Sequence, residues 1–162
     1  MNIKKLTLLA LFTTASLAVY VIESAIPPLV PIPGIKLGLA NIVTLVLLRR
    51  FSARDALLVL FCRIFLSALL FGQALSLLYS LAGGMASLAV MAGVMALLQK
   101  KLLFLTGASG GLAHNLGQLF TACIITATPG VLAYLPFLVL SGIITGIFTG
   151  FCAHFLDRYL PS

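Results

Sequence analysis

Lys4-Lys5-Leu6-Thr-Leu-Leu-Ala-Leu-Phe-Thr-Thr-Ala-Ser-Leu-Ala-Val-Tyr-Val-Ile22-Glu23 is the stretch that decides the fold. Two lysines precede an apolar run from Leu6 to Ile22, and a glutamate followed by prolines ends it. The run is long for the apolar part of a signal peptide, and no small-residue cleavage site precedes a polar domain. It reads as a retained membrane helix. The rest of the chain repeats the pattern. Of its 162 residues, 62% are hydrophobic and 8% charged, against roughly 25% charged in a soluble domain. Such a chain cannot cover a surface that faces water. At about 20 residues per crossing the composition supplies five or six helices. The expected fold is an all-α polytopic bundle of six transmembrane helices, a single membrane domain over residues 1–162.

After the first span comes Ser24-Ala-Ile-Pro-Pro-Leu-Val-Pro31-Ile-Pro33-Gly-Ile-Lys36. Its prolines lack N–H donors and fix φ, so it cannot be an ordinary helix. Being apolar, it should lie at the membrane interface or fold over the protein. Span two, Leu37 to Leu48, reaches only about 18 Å at 1.5 Å per residue. Either the proline segment dips into the bilayer or neighbouring helices shelter this one. Non-helical backbone at membrane depth has to be buried in protein or line a cavity, which is a first pointer to a site. Ser52 with Asp55 reads as a cap and first-turn acid for span three, Ala56 to Phe71. Gly72-Gln73 is a short turn before span four, Ala74 to Leu98. Gly107, Gly110 and Gly111 read as a turn leading to span five, Leu112 to Ala127, rather than as a phosphate cradle, because no strand precedes them. Thr128-Pro129-Gly130 turns into span six, Val131 to Leu156.

The net charge is +7, but the basic residues sit in short clusters between apolar runs, which excludes a nucleic-acid surface. With both termini in the cytoplasm, Lys4, Lys5, Arg49, Arg50, Arg54, Lys100, Lys101 and Arg158 lie inside and only Lys36 outside. That asymmetry fits the positive-inside rule and an even number of spans. Cys62, Cys123 and Cys152 all fall in apolar runs, without metal-ligand spacing, and read as core residues. Glu23, Asp55 and Asp157 are the only acids. No two are close in sequence, so neither paired-carboxylate catalysis nor a metal or other cofactor is expected.

Arg63 is the sharpest single residue. A charge at bilayer depth costs at least about 2.5–3.5 kcal/mol and should face the bundle interior or water. It reads either as a contact for an anionic or polar ligand or as a guanidinium satisfied by backbone carbonyls or an interface. His114, Asn115 and Gln118 share roughly one helix face. Such a face either joins helices by hydrogen bonds or lines a pocket. Asn41 lies one turn into span two beside the proline loop. Glu23 and Lys36 flank that loop and can pair across it. A metal or proton-relay role for His114 has less behind it, since His154 is the only other histidine. Gly142, Gly146 and Gly150 give span six a bare face suited to packing inside the bundle. Ala10, Thr14 and Ala18 give span one a similar face, for a partner or for internal packing.

Pro33-Gly-Ile-Lys-Leu-Gly-Leu-Ala-Asn-Ile-Val-Thr-Leu45 and Gly111-Leu-Ala-His-Asn-Leu-Gly-Gln-Leu119 resemble a bacterial membrane family called heptaprenyl diphosphate synthase component I, or Gx transporter family. The likeness covers nearly the whole chain. The family resembles the substrate-binding S-components of energy-coupling factor vitamin transporters, six-helix proteins with a long first external loop acting as a lid. This implies a transport subunit without its own ATPase, for no G-x-x-x-x-G-K-[ST] occurs. Asn41, Arg63, His114, Asn115 and Gln118 would bind an isoprenoid, quinone precursor or vitamin-like solute. Glu23, Pro31, Pro33 and Lys36 would form the lid. Ala10, Thr14 and Ala18 would dock a transmembrane coupling subunit with ATPases, Thr14 departing from the family's alanine. The alternative is a non-catalytic membrane accessory subunit to a soluble prenyl synthase. A synthase site proper needs magnesium held by aspartate-rich motifs, and two separated aspartates cannot supply it.

Overall fold

The computed structural model describes residues 3–26, 35–71 and 74–160. Within them the chain forms six α-helices and no strand: α1 Ile3–Ser24, α2 Asn41–Arg50, α3 Ala53–Phe71, α4 Ala74–Leu97, α5 Leu103–Thr126 and α6 Leu135–Tyr159. A short 3-10 helix, Pro129–Tyr134, leads into α6. Pro31, Pro33 and the Gly72-Gln73 turn lie outside the described residues.

The short helix α2 is the axis of the bundle. It touches all the others, which follow one another around it in the order α1, α3, α4, α5, α6. Seven of its ten residues are buried, and Leu45, Val46 and Leu47 are fully enclosed. A helix of about 15 Å is thus sheltered by its neighbours; the other expectation, a dipping proline segment, falls on residues 27–34, outside the described residues. The surrounding helices turn their large apolar side chains outward. Leu69, Phe120, Phe137 and Phe155 are more than half exposed, as suits a molecule whose solvent is lipid.

Among the described residues three helices are long and apolar enough to cross a membrane: Ile3–Ser24, Ala74–Leu97 and the continuous Pro129–Tyr159. The other three fall short for identifiable reasons. Helix α2 is too short. Helix α3 carries Arg54, Asp55 and Arg63, and α5 carries His114, Asn115 and Gln118. The polar residues that lower their hydropathy are mostly buried.

Gly107, Gly110 and Gly111 correct the expectation of a turn. They lie inside α5, which begins at Leu103 rather than Leu112. Gly107 and Gly111 face Gly142, Gly146 and Gly150 of α6. A Cβ on Gly107 would collide with the Gly146 carbonyl oxygen, and one on Gly111 with the Gly142 carbonyl oxygen. These are glycines of close helix approach, since packing has to supply what hydrophobicity does not supply in lipid. The expected internal role of the α6 glycines follows from the same contacts.

The ends of the helices are tied by polar groups. Ser52 and Asp55 form a reciprocal cap at the start of α3: Ser52 N donates to Asp55 Oδ2 at 3.1 Å and Asp55 N to Ser52 Oγ at 3.2 Å. Asp55 also pairs with Lys5 of α1 at 2.8 Å. At the same end, Asp157 of α6 receives Arg49 and Arg50 of α2, each Nε at 2.5 Å.

Candidate functional site

Beyond the end of α1 the chain returns through Ile35–Ala40 to begin α2. Gly38 takes φ +82°, a conformation that L side chains rarely adopt. Space demands glycine there too, for a Cβ would lie 2.7 Å from His114 Cδ2 and 3.0 Å from Asn41 Nδ2. The turn is held from α1. Glu23, 4% exposed, accepts Gly38 N at 2.6 Å and Leu39 N at 3.1 Å.

Around this turn Tyr20, Glu23, Lys36, Asn41, Arg63, Ser80 and His114 line one hollow. Arg63 and His114, about 50 positions apart in sequence, thus meet at the same place. The Arg63 guanidinium lies 5.9 Å from the Tyr20 ring centroid. The Lys36 ammonium sits over the same ring at 3.3 Å from its centroid and donates to Ser24 Oγ at 2.5 Å. The Tyr20 hydroxyl bonds Ser76 Oγ at 3.2 Å. Glu23 feels the positive charges of both Arg63 and Lys36. Two cations and one carboxylate leave a surplus of one positive charge.

The expected ion pair between Glu23 and Lys36 is replaced by other partners. The carboxylate is spent on backbone amides, and the ammonium goes to Ser24 and the aromatic face. Two backbone N–H groups in a dry turn need acceptors, and a charged acceptor makes the stronger bond.

His114 and Gln118 lock together, with Gln118 Nε2 3.0 Å from His114 Nε2. Gln118 Oε1 accepts Lys36 N at 3.1 Å, so its amide nitrogen must be the donor to the imidazole. His114 is therefore neutral in this arrangement, with its proton on Nδ1. Among the described residues that nitrogen has no hydrogen bond of normal geometry, although the Gly83 backbone acts on the imidazole. Among the same residues Asn41 Nδ2 is buried without a partner as well.

Asn115 is not brought to the hollow. It donates to Leu138 O at 2.8 Å and to Ser141 Oγ at 3.1 Å, joining α5 to α6. Ala10, Thr14 and Ala18 are exposed on the outside of α1, so internal packing does not use them. Tyr20, Ser80 and Gly38 were missed from sequence. For Tyr20 a signal existed, because it lies one helical turn before Glu23 on the same face.

The hollow is small. Its volume of about 10 Å³ is about that of one water. As it stands the arrangement is a packed polar core that fastens α1, α3, α4 and α5 to the turn before α2.

All three acids of the chain are engaged: Glu23 by amides, Asp55 by Ser52 and Lys5, Asp157 by Arg49 and Arg50. No curated protein and no solved structure gives a match. The family model of heptaprenyl diphosphate synthase component I matches residues 12–156, nearly the whole helical bundle, and the chain belongs to that family.

Proposed function

We propose that this chain is the membrane-embedded accessory subunit of a heptaprenyl diphosphate synthase, acting on a separate soluble catalytic subunit. Component I is a non-catalytic subunit. The family match over residues 12–156 carries the reading. The engagement of Glu23, Asp55 and Asp157 in structural contacts is in keeping with it. The charge distribution supports a cytoplasmic position for the end bearing Arg49, Lys100 and Arg158, with six helices in the bilayer of a bacterial inner membrane and both termini inside. The catalytic subunit would meet the molecule at that end.

Co-expression with the prenyl synthase from the same genome tests this. The synthase should move to the membrane fraction and co-purify with this chain, and long-chain product should rise. A synthase that stays soluble, with the same product whether or not this chain is present, overturns the proposal.

A second reading, a solute-binding subunit of a transporter, rests on the buried surplus of positive charge and on two atoms without a hydrogen-bond partner among the described residues, Asn41 Nδ2 and His114 Nδ1, on residues lining the hollow. On this reading Asn41, Arg63, His114 and Gln118 bind an isoprenoid, quinone precursor or vitamin-like solute, and the segment holding Glu23, Pro31, Pro33 and Lys36 moves aside to admit it. Ala10, Thr14 and Ala18 present an open face to a coupling subunit. A volume near that of one water requires such opening. Native mass spectrometry of the purified protein should then show a retained small molecule that is lost in Arg63→Lys. A bare polypeptide mass removes this reading.

A further inference from the structure

The α2, α4 and α6 helices end together, and between them Arg49, Arg50, Gln99, Lys100, Lys101 and Asp157 line an open recess of about 680 Å³. That is within the range of roughly 300–1,000 Å³ typical of small-ligand pockets. We propose that this recess is an anion site that takes a phosphate ester. The inference is independent of any role in prenyl synthesis.

The recess is built rather than incidental. Asp157 grips both arginines, which holds the two guanidinium groups side by side. The Arg49 Nη1 group donates to the Lys100 carbonyl, and Lys100 Nζ donates back to Arg49 O at 2.8 Å. This clamp fixes the α4–α5 connection against the end of α2. The connection adopts a costly shape: Gln99 and Lys100 take φ +48° and +61°, a left-handed conformation uncommon for residues other than glycine. The turn brings Lys100 and Lys101 up beside Arg49 and Arg50. Lys101 is exposed, and its side chain has no hydrogen bond or ion pair among the described residues.

Charge decides what the recess takes. Four cations face one carboxylate, a surplus of three. The carbonyl ends of three helices supply roughly −0.5 each. About one and a half positive charges are left over among these groups. The guanidinium groups give most of their N–H donors to Asp157 and to the Lys100 carbonyl, so a phosphate would meet chiefly the ammonium groups of Lys100 and Lys101, which are mobile point charges. The headgroup of an anionic phospholipid and a soluble diphosphate share this chemistry, and basic pockets between the cytoplasmic ends of membrane helices suit either.

The full-length protein in a zwitterionic detergent separates the sources. Phosphatidylglycerol and phosphatidylcholine are compared as adducts in native mass spectrometry, and inorganic pyrophosphate is titrated by calorimetry. Preferential retention of phosphatidylglycerol identifies a lipid headgroup, and saturable pyrophosphate binding identifies a soluble ester. In either case Lys100→Gln with Lys101→Gln should weaken binding about 30-fold, at about 1 kcal/mol per cation. Should the double variant fail to fold, exposed Lys101→Gln alone should weaken it about fivefold by the same rule. Lys4→Gln with Lys5→Gln removes the same charge from the same end outside the recess, and should leave affinity within about twofold. No binding by either probe, or equal loss in the Lys4/Lys5 and Lys100/Lys101 variants, overturns the proposal.

Discussion

Glu23 and Gly38 are joined by a 2.6 Å hydrogen bond from the Gly38 amide to the buried carboxylate. The end of α1 is thereby fixed to the left-handed turn that starts α2. A second amide, from Leu39, uses the other carboxylate oxygen. Replacing Glu23 with Ala strands two amides and should cost about 1–3 kcal/mol for each buried group left unmade. Glu23→Gln, which keeps one acceptor, should cost less. Thermal unfolding in detergent measures both, and an unchanged midpoint for Glu23→Ala contradicts the assignment.

Glu23 is also the carboxylate that acts on Arg63, so Glu23→Gln and Arg63→Gln are not independent. Glu23→Gln leaves Arg63 without its carboxylate, Arg63→Gln leaves Glu23 with Lys36 and its two amides, and the double change removes both charges. A double-mutant cycle should give a coupling of about 0.5–3 kcal/mol. Strict additivity would show that the two groups ignore each other.

Helices α5 and α6 approach through glycine. Gly111→Val drives a branched side chain into the Gly142 carbonyl and should destabilise by at least about 1–3 kcal/mol. Gly93, in α4, has open space where a Cβ would stand, with nothing within 4 Å. Gly93→Ala should be neutral or stabilising by up to about 1 kcal/mol. Comparable losses from both would mean that helix propensity, not close approach, sets the cost.

Orientation is checked with single cysteines placed in a background lacking Cys62, Cys123 and Cys152. A cysteine at Arg54 or Lys101 should react only with reagent admitted to the cytoplasm, and one at Lys36 only with reagent outside. Labelling of Arg54→Cys from the periplasmic side reverses the orientation.

Much of the arrangement was legible because bilayer physics is restrictive. The shortness of the segment ending at Leu48 called for either a dipping proline segment or shelter by neighbours, and α2 has neighbours against most of its length. A charge at depth had to turn inward, and Arg63 does. His114 and Gln118, four residues apart, do act together. Asn115, about 100° further round the helix from His114, serves α6 instead, a distinction that a loosely drawn polar face conceals. The glycines of α5 misled because glycine breaks isolated helices yet permits contact between packed ones. The partner of Glu23 was beyond reach, since it is backbone amide, and every residue but proline offers one.

The nearness of Glu23 to Arg63 has a consequence for biosynthesis. The helix bearing the negative charge is translated before the one bearing the guanidinium. On the six-span reading proposed above, α3 would then leave the translocon with its counter-charge already in the membrane. Insertion of a buried guanidinium would be prepared by α1.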